Sequence, residues 1–174
     1  MKRSLLLIAV ITAVAAVGVT PAAAQAPRVV SGGGTGTFSA DLDGDGDIDG
    51  SHFGLGVVFS GASVRGHFEC LMAGNADILG LPLMAVEGKV TGGTADRSAG
   101  TATLNGTATV NLGGGVVFRG VPFMVSLKAG GPGTGGLQLT VMGAFDGVPG
   151  DVVSQNGNYD LPPETVATGA IRVR

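Results

Sequence analysis

Residues 63–72 set the strongest constraint on what this chain can fold into. Val64, Gly66, Phe68, Cys70 and Met72 fall on one side of a strict alternation, and Ser63, Arg65, His67 and Glu69 on the other. A period of two with one apolar and one polar side is the signature of a half-buried β-strand. The same rhythm recurs along the chain. Residues 53–60 form a second such segment, and Gly61-Ala62 between the two makes a tight turn, so they predict a hairpin. Residues 35–42 alternate Thr35, Thr37 and Ser39 against Gly36, Phe38, Ala40 and Leu42. Further strands are expected over 83–91, 101–112, 116–128, 137–145 and 166–173. Turns fall between them, a connection over 73–81, and a long loop over 146–165. Asn105-Gly106 marks a bulge or turn, and Pro122 an edge strand or a bulge.

The 33 glycines are interleaved with Val, Leu, Phe and Thr, and 44% of residues are hydrophobic. That mixture describes a folded β protein with many turns and not a flexible linker. About eight strands without an amphipathic helix predict an all-β fold, an antiparallel β-sandwich or flattened β-barrel. Its first and last strands are expected to pair and cover an edge.

The N-terminus reads as a targeting segment. Met1-Lys2-Arg3 is basic, an apolar run follows to Val19, and Pro21-Ala22-Ala23-Ala24 supplies an Ala-x-Ala cleavage pattern. The expected organisation is a cleaved signal peptide over 1–24, an N-terminal tail over 25–34 and one β domain over 35–174. The protein is then secreted, periplasmic or held at the cell surface, with no membrane span after cleavage. Removing 24 of the 174 residues leaves 150, enough for a buried core. Cleavage also takes the ten basic residues to eight against 13 acidic ones, a net charge of −5. A mildly acidic domain without a basic cluster argues against nucleic acid as a partner. With Cys70 the single cysteine, no disulfide can form within the chain, and a secreted chain then needs another staple or a good core.

Residues 41–49 offer that staple. Asp41, Asp43, Asp45, Asp47 and Asp49 occupy every second position, with Gly44 and Gly46 between them. Five carboxylates so close repel one another unless a cation neutralises them, and Ca²⁺ is the hard ion that accepts oxygens from flexible loops. With Asp41 at position one, Asp43 and Asp45 stand at three and five and Gly46 at the sharp-turn position six. Asp47 stands at seven, Ile48 is the apolar peg and Asp49 stands at nine. This pattern resembles the calcium loops of FG-GAP and VCBS-type repeats and EF-hand-like loops, and more loosely those of dockerins. The resemblance implies side-chain ligation by Asp41, Asp43, Asp45 and Asp49 and a carbonyl from Asp47. His52 stands where an EF-hand has its bidentate Glu, and no helices flank the stretch. The version held between two β-strands therefore fits better, joining the first strand to the second. The whole chain resembles small, glycine-rich secreted β proteins of bacteria, which implies no activity.

Other candidates are weaker. On a strand, His67 and Cys70 point to opposite sides, so they make no shared metal site. Cys70 reads as a buried small hydrophobe, and Arg65, His67 and Glu69 as an outer polar row. No nucleophile motif accompanies His52 or His67, so the chain is not expected to be an enzyme. Asp146, Asp151, Asp160 and Glu164 could complete the calcium site or build a second one, or simply belong to a tethered surface loop. The functional expectation is a calcium-stabilised structural or interaction module whose partner is a cell-surface protein or polymer. The alternative is a small barrel that binds an apolar ligand or catalyses a reaction in its lumen.

Overall fold

The computed structural model describes residues 26–39, 48–78 and 81–174, with the side chains of 73–78 and 81–83 excepted. The segment read as a signal peptide and the aspartates from Asp41 to Asp47 lie outside the described residues. Nine strands follow in order: β1 (Arg28–Thr37), β2 (His52–Ser60), β3 (Ser63–Ile78), β4 (Leu81–Asp96), β5 (Thr101–Gly113), β6 (Val116–Lys128), β7 (Gly136–Val141), β8 (Tyr159–Asp160) and β9 (Glu164–Val173). All pair antiparallel in one sheet.

The sheet closes on itself. Successive strands pair from β1 to β7, β9 pairs with both β7 and β1, and β8 adds a two-residue edge to β7. The result is an all-β, up-and-down barrel of eight strands around the ring. The pairing expected between the first and last strands is what seals it, over Val30↔Val173 to Thr37↔Thr165. The β6–β7 connection completes this seam, since Gly130 and Ile171 exchange backbone bonds at 3.0 and 2.9 Å.

A barrel of eight strands is just wide enough for side chains to fill, and here they do. Phe53, Leu55, Val57 and Phe59 of β2 point inward, as do Phe68, Cys70 and Met72 of β3 and Leu104, Val110 and Leu112 of β5. At the centre the Phe68 and Phe123 rings stack with centroids 5.9 Å apart. Gly88 on β4 pairs with Phe68 and leaves the space that the Phe123 ring enters. Alternating small and large residues in this way lets facing strands interdigitate. At one mouth the Arg28 guanidinium crosses from β1 to the non-adjacent β4. Its Nη1–H donates to the Ala95 carbonyl at 2.7 Å while the group lies 5.9 Å above the Phe59 ring.

The strands differ from the sequence reading in several places, among them β1, which ends at Thr37, and β8, a two-residue strand inside the loop expected over 146–165. β1 starts at Arg28, so 28–34, read as a tail, lies between β2 and β9 as full strand. The connection expected over 73–81 is instead the far end of a long hairpin: Met72↔Met84 and Ala73↔Leu83 continue the register, which shifts before Ile78↔Leu81. β4 likewise runs to Asp96 and leaves only 97–100 for the turn. β7 stops at Val141, which lengthens the loop behind it. Both bulge signals hold. The register shifts on β4 between Val90 and Gly92 opposite Asn105-Gly106, and on β6 between Arg119 and Val121, where Gly120 takes φ +70°.

The outer surface is polar along the middle strands, where Arg65, His67, Glu69, Glu87 and Lys89 are outward. No helix among the described residues is long and apolar enough to cross a membrane.

Gly88→Ala should force the Phe123 ring off Phe68. Overpacking of this kind costs about 1–3 kcal/mol. The expected result is a lower urea midpoint at an unchanged slope, read by equilibrium unfolding.

Candidate functional site

The alternating direction of the strands brings the chemically interesting residues to one mouth of the barrel. β1 ends there, β2 begins there, and so do the long loop after β7 and the start of β9. Antiparallel pairing of β1 with β2 continues past their ends. The Gly36 N–H donates to the Ser51 carbonyl at 2.8 Å, and the Phe38 N–H to the Asp49 carbonyl at 2.9 Å. The Asp-rich stretch thus joins the first strand to the second, as its pattern implied. Asp49, its last member, stands at the foot where the chain re-enters the sheet. Phe38, at the other foot, is buried in the core.

Directly inside these feet is a buried polar trio. Glu164, the first residue of β9, is 4% exposed, Ser51 2% and Cys70 1%. Glu164 Oε2 accepts hydrogen bonds from the Ser51 N–H at 3.1 Å and from the Ser51 hydroxyl at 2.7 Å. β1 lies between β9 and β2 in the sheet, so the Glu164 side chain must cross it. It does so over Gly36, where any Cβ would collide with the carboxylate. A glycine is required at that position by close approach and not by backbone angle.

The electrostatics follow from burial. Desolvation disfavours the charged form of Glu164 and raises its carboxyl, against the two Ser51 hydrogen bonds, which favour ionisation. Burial likewise pushes the Cys70 thiol up to about 12, with the nearby Glu164 adding to the effect and a Ser51 hydrogen bond opposing it. Cys70 is therefore a protonated, inert thiol at neutral pH, in keeping with its reading as a small hydrophobe.

The long loop is tethered by its own acids. Asp146 accepts the N–H groups of Gln155 at 2.7 Å and Gly157 at 2.9 Å. Asp151 accepts those of Gly147 at 2.8 Å, Val153 at 3.1 Å and Asp160 at 3.1 Å. Desolvation pushes the Asp151 carboxyl up, but the N–H groups of Gly147, Asp160 and Val153 together hold it below the usual carboxylate range. Asp160 takes the Thr140 hydroxyl at 2.6 Å and the Asn156 amide at 2.6 Å. These bonds hold Gln155 at φ +68°. Phe145, at φ +60°, is held instead by its edge-to-face contact with Phe118, centroids 5.1 Å apart. Asp146 and Asp151 are thus committed to backbone N–H groups, Asp160 to the side chains of Thr140 and Asn156, and Glu164 is turned into the barrel. Of the two readings of these acids, the tethered loop is the one the hydrogen bonds describe. Among the described residues no group of three or more His, Cys, Asp or Glu is arranged to hold a metal ion.

On the outer wall, a cleft of about 350 Å³ lies among His52, Glu69, Leu71, Ala85 and Glu87. Glu69 and Glu87 face each other directly across β3 and β4, a like-charge pairing that costs stability. The Glu69 side chain lies over Gly54 and the His67 ring over Gly56, so the outward glycines of β2 form the bed for the polar row of β3.

Sequence reasoning singled out Asp49 and Glu164 but not Ser51 or Gly36. The Glu164–Ser51 bond joins positions 113 apart, and no local pattern encodes it.

Native protein at neutral pH should leave Cys70 unlabelled by a thiol reagent such as DTNB over hours. Denaturant should release one equivalent at once. Rapid labelling of the folded protein would show that the interior around Ser51 and Glu164 opens readily.

Comparison of the chain with known protein families, with curated proteins and with solved structures finds no match.

Proposed function

We propose that this chain is a secreted, calcium-stabilised β-barrel that acts as a structural or interaction module at the cell surface, with a surface protein or polymer as partner. The observation that carries the reading is the position of the Asp-rich stretch. It bridges β1 and β2, and its feet are tied by the Phe38–Asp49 backbone bond. β1 is also the strand that closes the barrel against β9. A cation held by the side chains of Asp41, Asp43, Asp45 and Asp49 and the carbonyl of Asp47 would cross-link the hairpin at the place where closure depends on it. That is the staple a secreted chain without disulfides needs.

A structural role agrees with the interior. It is filled by Phe68, Phe123, Met84 and Leu104, all essentially fully buried, and Tyr159 is buried beneath the long loop. This favours the module over the alternative of an apolar ligand or a reaction in the lumen, which requires a cavity with convergent polar groups.

Calcium that binds only the folded chain stabilises it by mass action, about 2.7 kcal/mol at a hundredfold excess over Kd. The melting temperature should therefore rise with added Ca²⁺ and fall back with a chelator. Asp45→Ala should abolish the calcium-dependent shift while leaving the chelated melting temperature close to that of the parent. A melting temperature indifferent to calcium would remove the basis for this reading.

A further inference from the structure

The buried carboxyl at the closing seam is used by neither the calcium reading nor the packing of the core. Its geometry is specific. Glu164 starts β9, the strand that seals the barrel, and reaches over Gly36 of β1 to take both the N–H and the hydroxyl of Ser51 on the approach to β2. One side chain thus ties three strands together from the inside, at the mouth where the sheet closes.

We propose that Glu164 is a proton-operated latch on the barrel seam: its carboxyl ties β9 to β2 across β1 through Ser51, and ionisation, whose burial cost exceeds what the two Ser51 bonds return, loosens that corner. A charge in a low-dielectric interior needs a compensating cation or water. Among the described residues the neighbouring elements offer no cation. Towards Glu164, β1 presents Gly36, β2 presents Ser51, and β3 presents Cys70, whose thiol stays protonated. The residue paired with it on β7 is the apolar Leu137. Of the other titratable groups nearby in the chain, His52 lines the outer cleft, Asp160 of β8 is bound to Thr140 and Asn156, and Asp49 lies at the foot two residues before Ser51. An ionised Glu164 can therefore recover its lost hydration only if water enters at this mouth and replaces Ser51 as its partner.

The sign follows from linkage. Desolvation raises the folded-state carboxyl above its unfolded value, so the stability it supplies is complete below the unfolded value and is lost as pH rises through the folded one. The latch is closed under mild acid and slack in alkali.

The test compares parent and Glu164→Gln melting temperatures from about pH 4 to about pH 8, with a chelator throughout so that any calcium effect is excluded. Glutamine keeps the shape and an acceptor for Ser51 but cannot ionise. The parent should be at least as stable as the variant at the acid end and should lose ground to it steadily as pH rises. Ser51→Ala, which removes the hydroxyl that favours ionisation, should move that loss to higher pH. In NMR spectra the Ser51 amide should titrate in the parent and stand still in Glu164→Gln. Parallel pH profiles for parent and Glu164→Gln, or a Ser51 amide that titrates equally in both, would overturn the latch.

Discussion

Every other feature of this molecule depends on the hydrogen bonding of β1 to β9. A meander of eight strands without that pairing is an open sheet with two free edges, and exposed edges invite pairing with other chains. Closing the ring satisfies both edges and defines an inside. Only then do the inward rows of β2, β3, β5 and β6 become one core and not one face of a flat sheet. The closure is also demanding, because β1 must receive neighbours on both sides. Gly32 and Gly34 leave no room for a side chain where the backbone of β9 approaches, at the Ala170 and Thr168 carbonyls. Glycine in the middle of a strand is costly in isolation. Here it is the condition for the two strands to meet.

The same logic runs round the barrel. Glycine removes bulk where a large neighbour must enter: Gly88 for the Phe123 ring, Gly36 for the Glu164 carboxylate, Gly54 and Gly56 for the outer side chains of Glu69 and His67. The high glycine content therefore does two jobs, one in turns such as 113–115, where φ is positive, and one inside strands. Only the first is visible as punctuation in a sequence.

That difference explains what could be read in advance. The alternation of 53–60 and 63–72 made the hairpin and the orientation of Cys70 and His67 legible, because period two is a local property. The Asp-rich stretch announced its own place between two strands for the same reason. Residues 28–34 looked like a tail because Gly32, Gly33 and Gly34 carry no alternation. Their strand character comes wholly from β2 and β9. The far end of the β3–β4 hairpin was hidden by Gly74, Asn75 and Gly80, which read as turn signals; the pairing from Gly66↔Val90 to Ala73↔Leu83 nevertheless resumes, after a register shift, at Ile78↔Leu81. At the candidate site, Glu164 stood out as an acid, but the bond that defines its role spans 113 residues. The acids of the long loop were equally visible, yet the partners that Asp146, Asp151 and Asp160 take lie up to 20 residues away, as Thr140 does from Asp160.

On the proposed reading, the two acidic features near the closing mouth would act on stability with opposite signs. A calcium loop needs ionised carboxylates, so its contribution grows as pH rises and protons leave the ligands. The buried Glu164 contributes most when it holds its proton. Both act on the same short length of chain, since Asp49 and Ser51 are two residues apart and each is tied to β1 through its carbonyl. Ionisation of Glu164 weakens the seam in the range where a cation on the loop would hold the hairpin most firmly. A barrel with both devices stays closed in mild acid without calcium and in neutral or alkaline surroundings with it. It is least secure in neutral or alkaline surroundings where calcium is scarce. With Cys70 buried and no second cysteine in the chain, the two proposals together would place control of closure in the ionic composition of the surroundings and not in redox chemistry.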